Sequence, residues 1–222
     1  LNPIFEARSN HRYDTVDYLA VDPMLGTMDD FQALVTEAEA RGMYIVLDGV
    51  FNHMSSDSVY FDRYHRFETV GACESVDSEY RSWFTFRETR GTESAMCAGE
   101  EGDLFYNSWW NFDSIPTIDN TKYGPRAYFV RGQDSVVRTW GEAGIGGWRM
   151  DVGGDIDNGR DPDNKYWESF RTIARIVNPE TVIIGEEWGD ATPWLLGAQW
   201  DSVMNYRFRR AATSVVLQDT YI

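Results

Sequence analysis

Three acids stand where three short apolar runs end. Asp48 follows residues 43–47, Asp151 lies within 148–152, and Glu186 comes just after 181–184. Runs of this kind, without polar alternation, read as strands buried on both faces of a parallel sheet. The carboxyl edge of such a sheet is where α/β folds collect reacting groups. One acid at a strand end is as readily a loop cap; three of them, each with unusual polar neighbours, point to chemistry. Asp48 opens Asp48-Gly49-Val50-Phe51-Asn52-His53, which sets an amide and an imidazole just past the strand. Arg149 precedes Asp151 by two residues, so both side chains project from one face of an extended strand, and the guanidinium is expected to keep that carboxylate ionised. Glu186 sits in Gly185-Glu186-Glu187-Trp188, where a second carboxylate and an apolar indole are expected to raise its pKa and keep it protonated.

An ionised carboxylate facing a protonated one is the pair with which glycosidases work. In retaining enzymes the two groups stand about 5 to 5.5 Å apart and act through a covalent glycosyl intermediate. The 9 Trp and 12 Tyr supply flat faces on which sugar rings can stack, although most of them serve packing. Metal chemistry has less to build on: the histidines are His11, His53 and His65, without the H-E-x-x-H spacing of a catalytic zinc site. A metal-dependent hydrolase using Asp48, Asn52 and His53 is the weaker alternative. The run from Asp155 to Asp161 lacks the acid at position five, the Gly at six and the Glu at twelve of a calcium loop, and reads as a solvated acidic loop.

Helices must hold these strand ends in place. Thr27 and Asp30 form a capping-box-like start, Phe31, Leu34, Val35 and Ala38 make one apolar face, and Gly42 closes the run. A second helix is marked by Val136, Val137, Trp140 and Ala143 before the strand at 148–152. A third carries Trp167, Phe170, Ile173, Ala174 and Val177, stopped by Asn178-Pro179 before the strand at 181–184. A fourth apolar piece, Val203-Met204-Asn205-Tyr206, follows. Repeated helix then strand argues for a parallel α/β fold. Residues 54–130, crowded with aromatics and Gly and with little helical period, are far too long for a βα loop of about 2 to 6 residues and read as a small inserted domain.

With 42% hydrophobic residues, the 222-residue chain can build a packed core. Its 20 basic against 36 acidic residues give a net charge of −16, which disfavours nucleic acid and anionic membrane surfaces as partners. No run approaches the roughly 18 apolar residues of a spanning helix, and residues 1–10 lack the regions of a signal peptide. The opening Leu1-Asn2-Pro3-Ile4-Phe5 reads like the end of a buried strand, as in a piece of a longer chain. Cys73 and Cys97 both fall in the irregular segment, where a bridge is most useful; two unrelated buried thiols are the alternative. A bridge would imply an oxidising compartment and an extracellular or periplasmic location.

Over nearly its whole length the sequence resembles glycoside hydrolase family 13, the α-amylase family. Asp48 to His53, Gly147-Trp148-Arg149-Met150-Asp151-Val152 and Ile184-Gly185-Glu186-Glu187-Trp188 are similar to its first three motif regions, in order. The stretches from Asn10 to Tyr18 and from Trp200 to Tyr206 are similar to segments of its neopullulanase, cyclomaltodextrinase and amylopullulanase branches. The resemblance implies part of a (β/α)8 TIM barrel, about strands two to six: barrel over 1–53, an inserted domain over 54–130 after strand three, and barrel again over 131–222. It implies retaining hydrolysis of α-1,4, and also α-1,6, glucosidic bonds in starch, pullulan, cyclodextrins or maltooligosaccharides. Asp151 would be the nucleophile, Glu186 the general acid/base and Arg149 the nucleophile's partner. Tyr13 would stack on the reacting sugar, His11 and His53 would hydrogen-bond it, Asp48 would support the site, and Trp188 would carry the leaving sugar. Calcium would lie between Asn52 and Asp119, with Asp155 where some members have a His; no organic cofactor is implied. The family's fourth region, which supplies a third acid, has no counterpart in the 36 residues after Glu186. A non-catalytic glucan-binding or partner-binding relative is therefore the alternative function.

Overall fold

The computed structural model describes residues 1–88, 94–97, 104–160 and 163–217. Two antiparallel strands open it, β1 (Phe5–Ala7) and β2 (Thr15–Val21), a pairing that the sequence reading did not foresee. The first four residues form no strand; the amino group of Leu1 donates to the carbonyl of Val46 at 2.7 Å.

Helix α1 (Met28–Glu39) starts at the expected capping box: Thr27 Oγ1 accepts the Asp30 N–H and Asp30 returns a carboxylate to the Thr27 N–H. Phe31, Val35 and Ala38 are buried, but Leu34 lies on the margin of that stripe and is exposed. After Gly42, in a left-handed turn at φ 71°, the N–H of Met43 still reaches back to Ala38. The chain is finishing the helix there, so strand β3 (Val46–Gly49) begins later than predicted and leaves Met43 and Tyr44 exposed.

Three strands follow as an antiparallel sheet, β4 (Phe86–Arg87), β5 (Ser94–Cys97) and β6 (Leu104–Asn107), in the order β4-β6-β5. Cys73 is bridged to Cys97 at a Cα separation of 5.5 Å. Phe61, Phe84 and Tyr106 pack edge to face beneath this sheet. Residues 114–118 then run along 52–56, with Ser56 N bonded to Ser114 O and Ile118 N to Asn52 O. A short helix α2 (Tyr123–Arg126) continues into a π-helical turn at Ala127–Arg131.

Three further units complete the description: α3 (Val136–Glu142) with β7 (Gly147–Met150), α4 (Gly153–Ile156) and α5 (Tyr166–Val177) with β8 (Val182–Gly185), and β9 (Ser202–Val203) with α6 (Tyr206–Val216). The strands form one parallel sheet in the order β3-β7-β8-β9. Of the fourth apolar piece only Val203 is strand. Asn205 caps the next helix by accepting the Phe208 N–H, so Tyr206 belongs to α6. Trp140, Trp148, Trp167 and Phe170 fill the space between the helices and the sheet, fully buried. The Trp140 indole, which could not be left unpaired there, donates to the carbonyl of Tyr18 at 2.7 Å.

The acidic run after Asp151 is not simply solvated. Asp157 is buried, its carboxylate takes the N–H groups of Gly159 and Tyr166, and its carbonyl takes the Trp194 indole. Asp161 lies outside the described residues.

Candidate active site

Register brings the acids together. Asp48 pairs with Arg149 and Arg149 with Ile184, so these three share one level and one face of the sheet. The ladder runs one step further through Asp151 N to Gly49 O and Glu186 N to Met150 O. Two residues along a strand return to the same face, so Asp151 joins Arg149 there and Glu186 joins Ile184.

One guanidinium holds all three carboxylates. Arg149 Nη1 lies 2.7 Å from Asp48 Oδ1 and 2.8 Å from Asp151 Oδ1, and Nη2 lies 2.8 Å from Glu186 Oε1. Burial works against the charge of Arg149, but the three carboxylates outweigh it and push its pKa above the usual value. Asp48 is fully engaged, its Oδ2 accepting the Tyr13 hydroxyl at 3.0 Å. Burial raises its pKa, and the Arg149 guanidinium pulls it back only in part. Asp151 Oδ2 has no hydrogen-bond partner among the described residues. Contrary to the sequence-based expectation, Arg149 does not keep the Asp151 carboxyl low: burial, with Asp48 and Glu186 nearby, pushes it up to about 7.

Glu186 is held at both oxygens, Oε1 by Arg149 and by the Tyr206 hydroxyl at 2.7 Å, Oε2 by the N–H of Val152 at 2.9 Å. The neighbours expected to tune it face elsewhere. Glu187 Oε1 accepts the Gly189 N–H, and the Trp188 ring, 41% exposed, leans toward Tyr206. Val152 adopts φ 40°, ψ 42°, a left-handed conformation that costs a β-branched residue about 1 to 3 kcal/mol. It leads with the N–H that meets Glu186.

A cleft of about 430 Å³ opens over these groups, walled by His11, Tyr13, His53, Trp109, Phe112 and Trp188. His53 does not offer a nitrogen to it. Asn52 donates to its Nδ1 at 3.2 Å, so Nε2 carries the proton and gives it to the Tyr13 carbonyl at 3.1 Å. Burial pulls the pKa of this imidazole down to about 4. His11 stacks on Tyr13, and its Nδ1 accepts the Tyr13 N–H, which leaves Nε2–H as its donor.

Of the groups expected to hold calcium, the Asn52 amide nitrogen faces His53, Asp119 Oδ1 takes the Thr121 hydroxyl and N–H, and Asp119 Oδ2 lies 3.6 Å from the Lys122 ammonium. Asp155 accepts the Trp109 indole. Among the described residues no three His, Cys, Asp or Glu side chains gather as a metal site. Asp48 and His53, which a metal-dependent hydrolase would use, are held by Arg149 and Tyr13 and by Asn52 and the Tyr13 carbonyl.

The sequence matches the alpha amylase catalytic domain family over residues 1–220. The chain belongs to the alpha-amylase family. An amylopullulanase of Thermoanaerobacterium saccharolyticum is 37% identical over 94% of the chain and 16% of its own length, and neopullulanase 2 of Thermoactinomyces vulgaris is 35% identical over 94% of the chain and 32% of its length. The cyclic α-maltosyl-(1→6)-maltose hydrolase of Arthrobacter globiformis superposes with a TM-score of 0.77 at 31% identity, over 96% of this chain and 43% of that one. The chain thus spans about a third or less of the two curated relatives, and it shares the catalytic-domain barrel fold.

Three groups of this amylase-family site escaped the sequence reading. Tyr206 was grouped with a strand; its place 20 residues beyond Glu186, at the first turn of the next helix, is what brings the hydroxyl back. The Val152 N–H depends on a backbone conformation that Val does not advertise. Trp109 comes from the aromatic-rich segment, where no period marks which ring faces the cleft.

Proposed function

We propose that the protein is a retaining glycoside hydrolase that cleaves α-1,4, and also α-1,6, glucosidic bonds in starch, pullulan or cyclodextrins. One observation carries the reading: an aromatic-walled cleft in which Arg149 gathers three carboxylates and leaves Asp151 Oδ2 without a partner. Asp151 Oδ2 attacks the anomeric carbon, the bond to the leaving oxygen breaks, and that oxygen takes a proton from Glu186. Water then gives a proton to Glu186 and its oxygen to the anomeric carbon, which frees Asp151. Two inversions at one carbon return the α configuration. Asp48 and Tyr13 keep Arg149 and the sugar-facing wall in place, and Trp188 receives the leaving sugar.

The parallel sheet fits four successive strands of the barrel, with residues 54–130 as an insertion after the first of them. The Cys73–Cys97 bridge supports an extracellular or periplasmic location. Calcium is given no step.

In the full-length protein, Asp151→Asn and Glu186→Gln are each expected to lower kcat on maltotriose by about 10³-fold or more, and the first-formed sugar is expected to be the α-anomer by proton NMR. A β-anomer would overturn double displacement, and near wild-type turnover in either variant would overturn the assignment. Glucan binding by a wild-type protein without turnover would favour the non-catalytic relative.

A further inference from the structure

Beside the reacting groups, the segment from Trp109 to Ile115 forms a small closed loop. Trp109 N bonds to Ile115 O, Phe112 N to Trp109 O and Ile115 N to Phe112 O. Within it Trp110 and Asn111 both adopt left-handed backbone, φ 51° and 63°. Two consecutive residues with side chains in that region cost about 1 to 3 kcal/mol each. The strain does not serve burial: Trp110 is 64% exposed and Phe112 55%. What it produces is a column of rings. His53 lies under Trp109 at 5.7 Å and an interplanar angle of 26°, and Trp109 lies under Trp110 at 5.4 Å and again 26°.

The foot of this column is the wall of the reaction cleft, where Trp109 and Phe112 line the same cavity as Asp151 and Glu186. Asp155 fixes it, accepting the Trp109 indole N–H at 3.1 Å from a helix that starts two residues beyond Asp151. The indole plane is thereby set relative to the reacting groups.

We infer that Trp110 and Phe112, with Trp109 as the ring on which Trp110 rests and Asp155 as its positioning residue, form a stacking platform for glucose units of the α-glucan beyond the one being cleaved. The occupant follows from continuity: Trp109 and Phe112 line the reaction cleft and Trp110 stacks on Trp109, so a chain extending from the cleft on this side would meet these rings, and a glucose ring presents an apolar C–H face of the size of an indole. Aromatic faces this exposed would otherwise be a liability in water. The platform sets a preference for longer chains without touching the bond that breaks. The inference rests on the glucan reading above.

The test compares Trp110→Ala, Trp110→Phe and wild type in the full-length protein, on 4-nitrophenyl α-maltoside and on maltoheptaose. Trp110→Ala should raise KM for maltoheptaose about fivefold or more, the worth of one aromatic contact, with kcat on the maltoside unchanged; Trp110→Phe should recover most of the loss. Calorimetric titration of maltoheptaose into Asp151→Asn, with and without Trp110→Ala, reads the same contact without turnover. If wild type hydrolyses both substrates and Trp110→Ala matches it on both, the platform is wrong and the glucan reading stands. If nothing is hydrolysed but Trp110→Ala weakens maltoheptaose binding, the platform stands and the hydrolase reading falls. Absence of both hydrolysis and binding overturns both.

Discussion

At the scale of single residues, the chemistry proposed above turns on the proton held by Asp151. Burial raises its carboxyl from 3.8 to about 7, and in the proposed double displacement only the ionised form attacks. The kcat/KM of the free enzyme should therefore rise with pH through about 7, well above the usual carboxylate range, as a property of the coupled carboxylates. Stability should run the other way. The folded protein holds this proton more tightly than the unfolded chain, so the contribution of Asp151 to stability falls as pH climbs from about 4 to about 7. Urea midpoints at the two ends of that window, compared between wild type and Asp151→Asn, should show the variant lacking that slope; equal slopes would place the raised pKa elsewhere. Tyr206 gives a second expectation. Its hydroxyl donates to Glu186 Oε1 at 2.7 Å and so fixes that carboxyl group in the cleft. Tyr206→Phe should lower kcat about tenfold or more with the melting temperature unchanged, and an unaltered kcat would show that Tyr206 does not hold the acid.

At the scale of elements, a disulfide between two buried cysteines ties the irregular segment. The Cys73–Cys97 bridge closes 24 residues, and a loop of that length is worth roughly 3 kcal/mol in the chain-entropy account. Cys97→Ser should lower the free energy of unfolding by about that amount in urea melts, and intact mass with alkylation before and after reduction should show no free thiol in the native protein. The same segment marks the limit of what the sequence discloses. Helices α1, α3 and α5 and the strands they precede were legible because a 3.6 period is followed by an apolar run, and the resulting strand ends located Asp48, Arg149, Asp151 and Glu186. Misjudgements came where local pattern does not decide. Leu34 has the right spacing but lies at the margin of the buried stripe, and β1 and β2 pair over irregular register that no alternation announces. For His53, which the family resemblance makes a sugar contact, the structure adds two partners, the Tyr13 carbonyl from elsewhere in the chain and the Asn52 amide alongside, while keeping the ring in the cleft wall. Trp109 and Tyr206 reach the site from 46 residues before Asp155 and from 20 residues after Glu186, across folds of the chain that only tertiary structure supplies.

At the scale of the whole molecule, the proposed substrate, an α-glucan, carries no charge, so the long-range field of a net charge of −16 would neither steer nor repel it. It does act on a cation. The cleft adds to that field, because one guanidinium answers three carboxylates, and at neutral pH the proton on Asp151 offsets only part of the shortfall. A sugar mimic with a permanently charged, quaternary ammonium in place of the ring oxygen would take the place of that proton. Its binding at pH 6 should then expel hydrogen ion into the medium, seen as a binding heat that changes with the ionisation enthalpy of the buffer; at pH 9, with Asp151 already bare, the heat should be the same in every buffer. Maltotriose should show no such dependence at either pH. The arrangement thus makes the site a proton–cation exchanger, so acidification should weaken cationic inhibitors while leaving the affinity for neutral sugar largely intact.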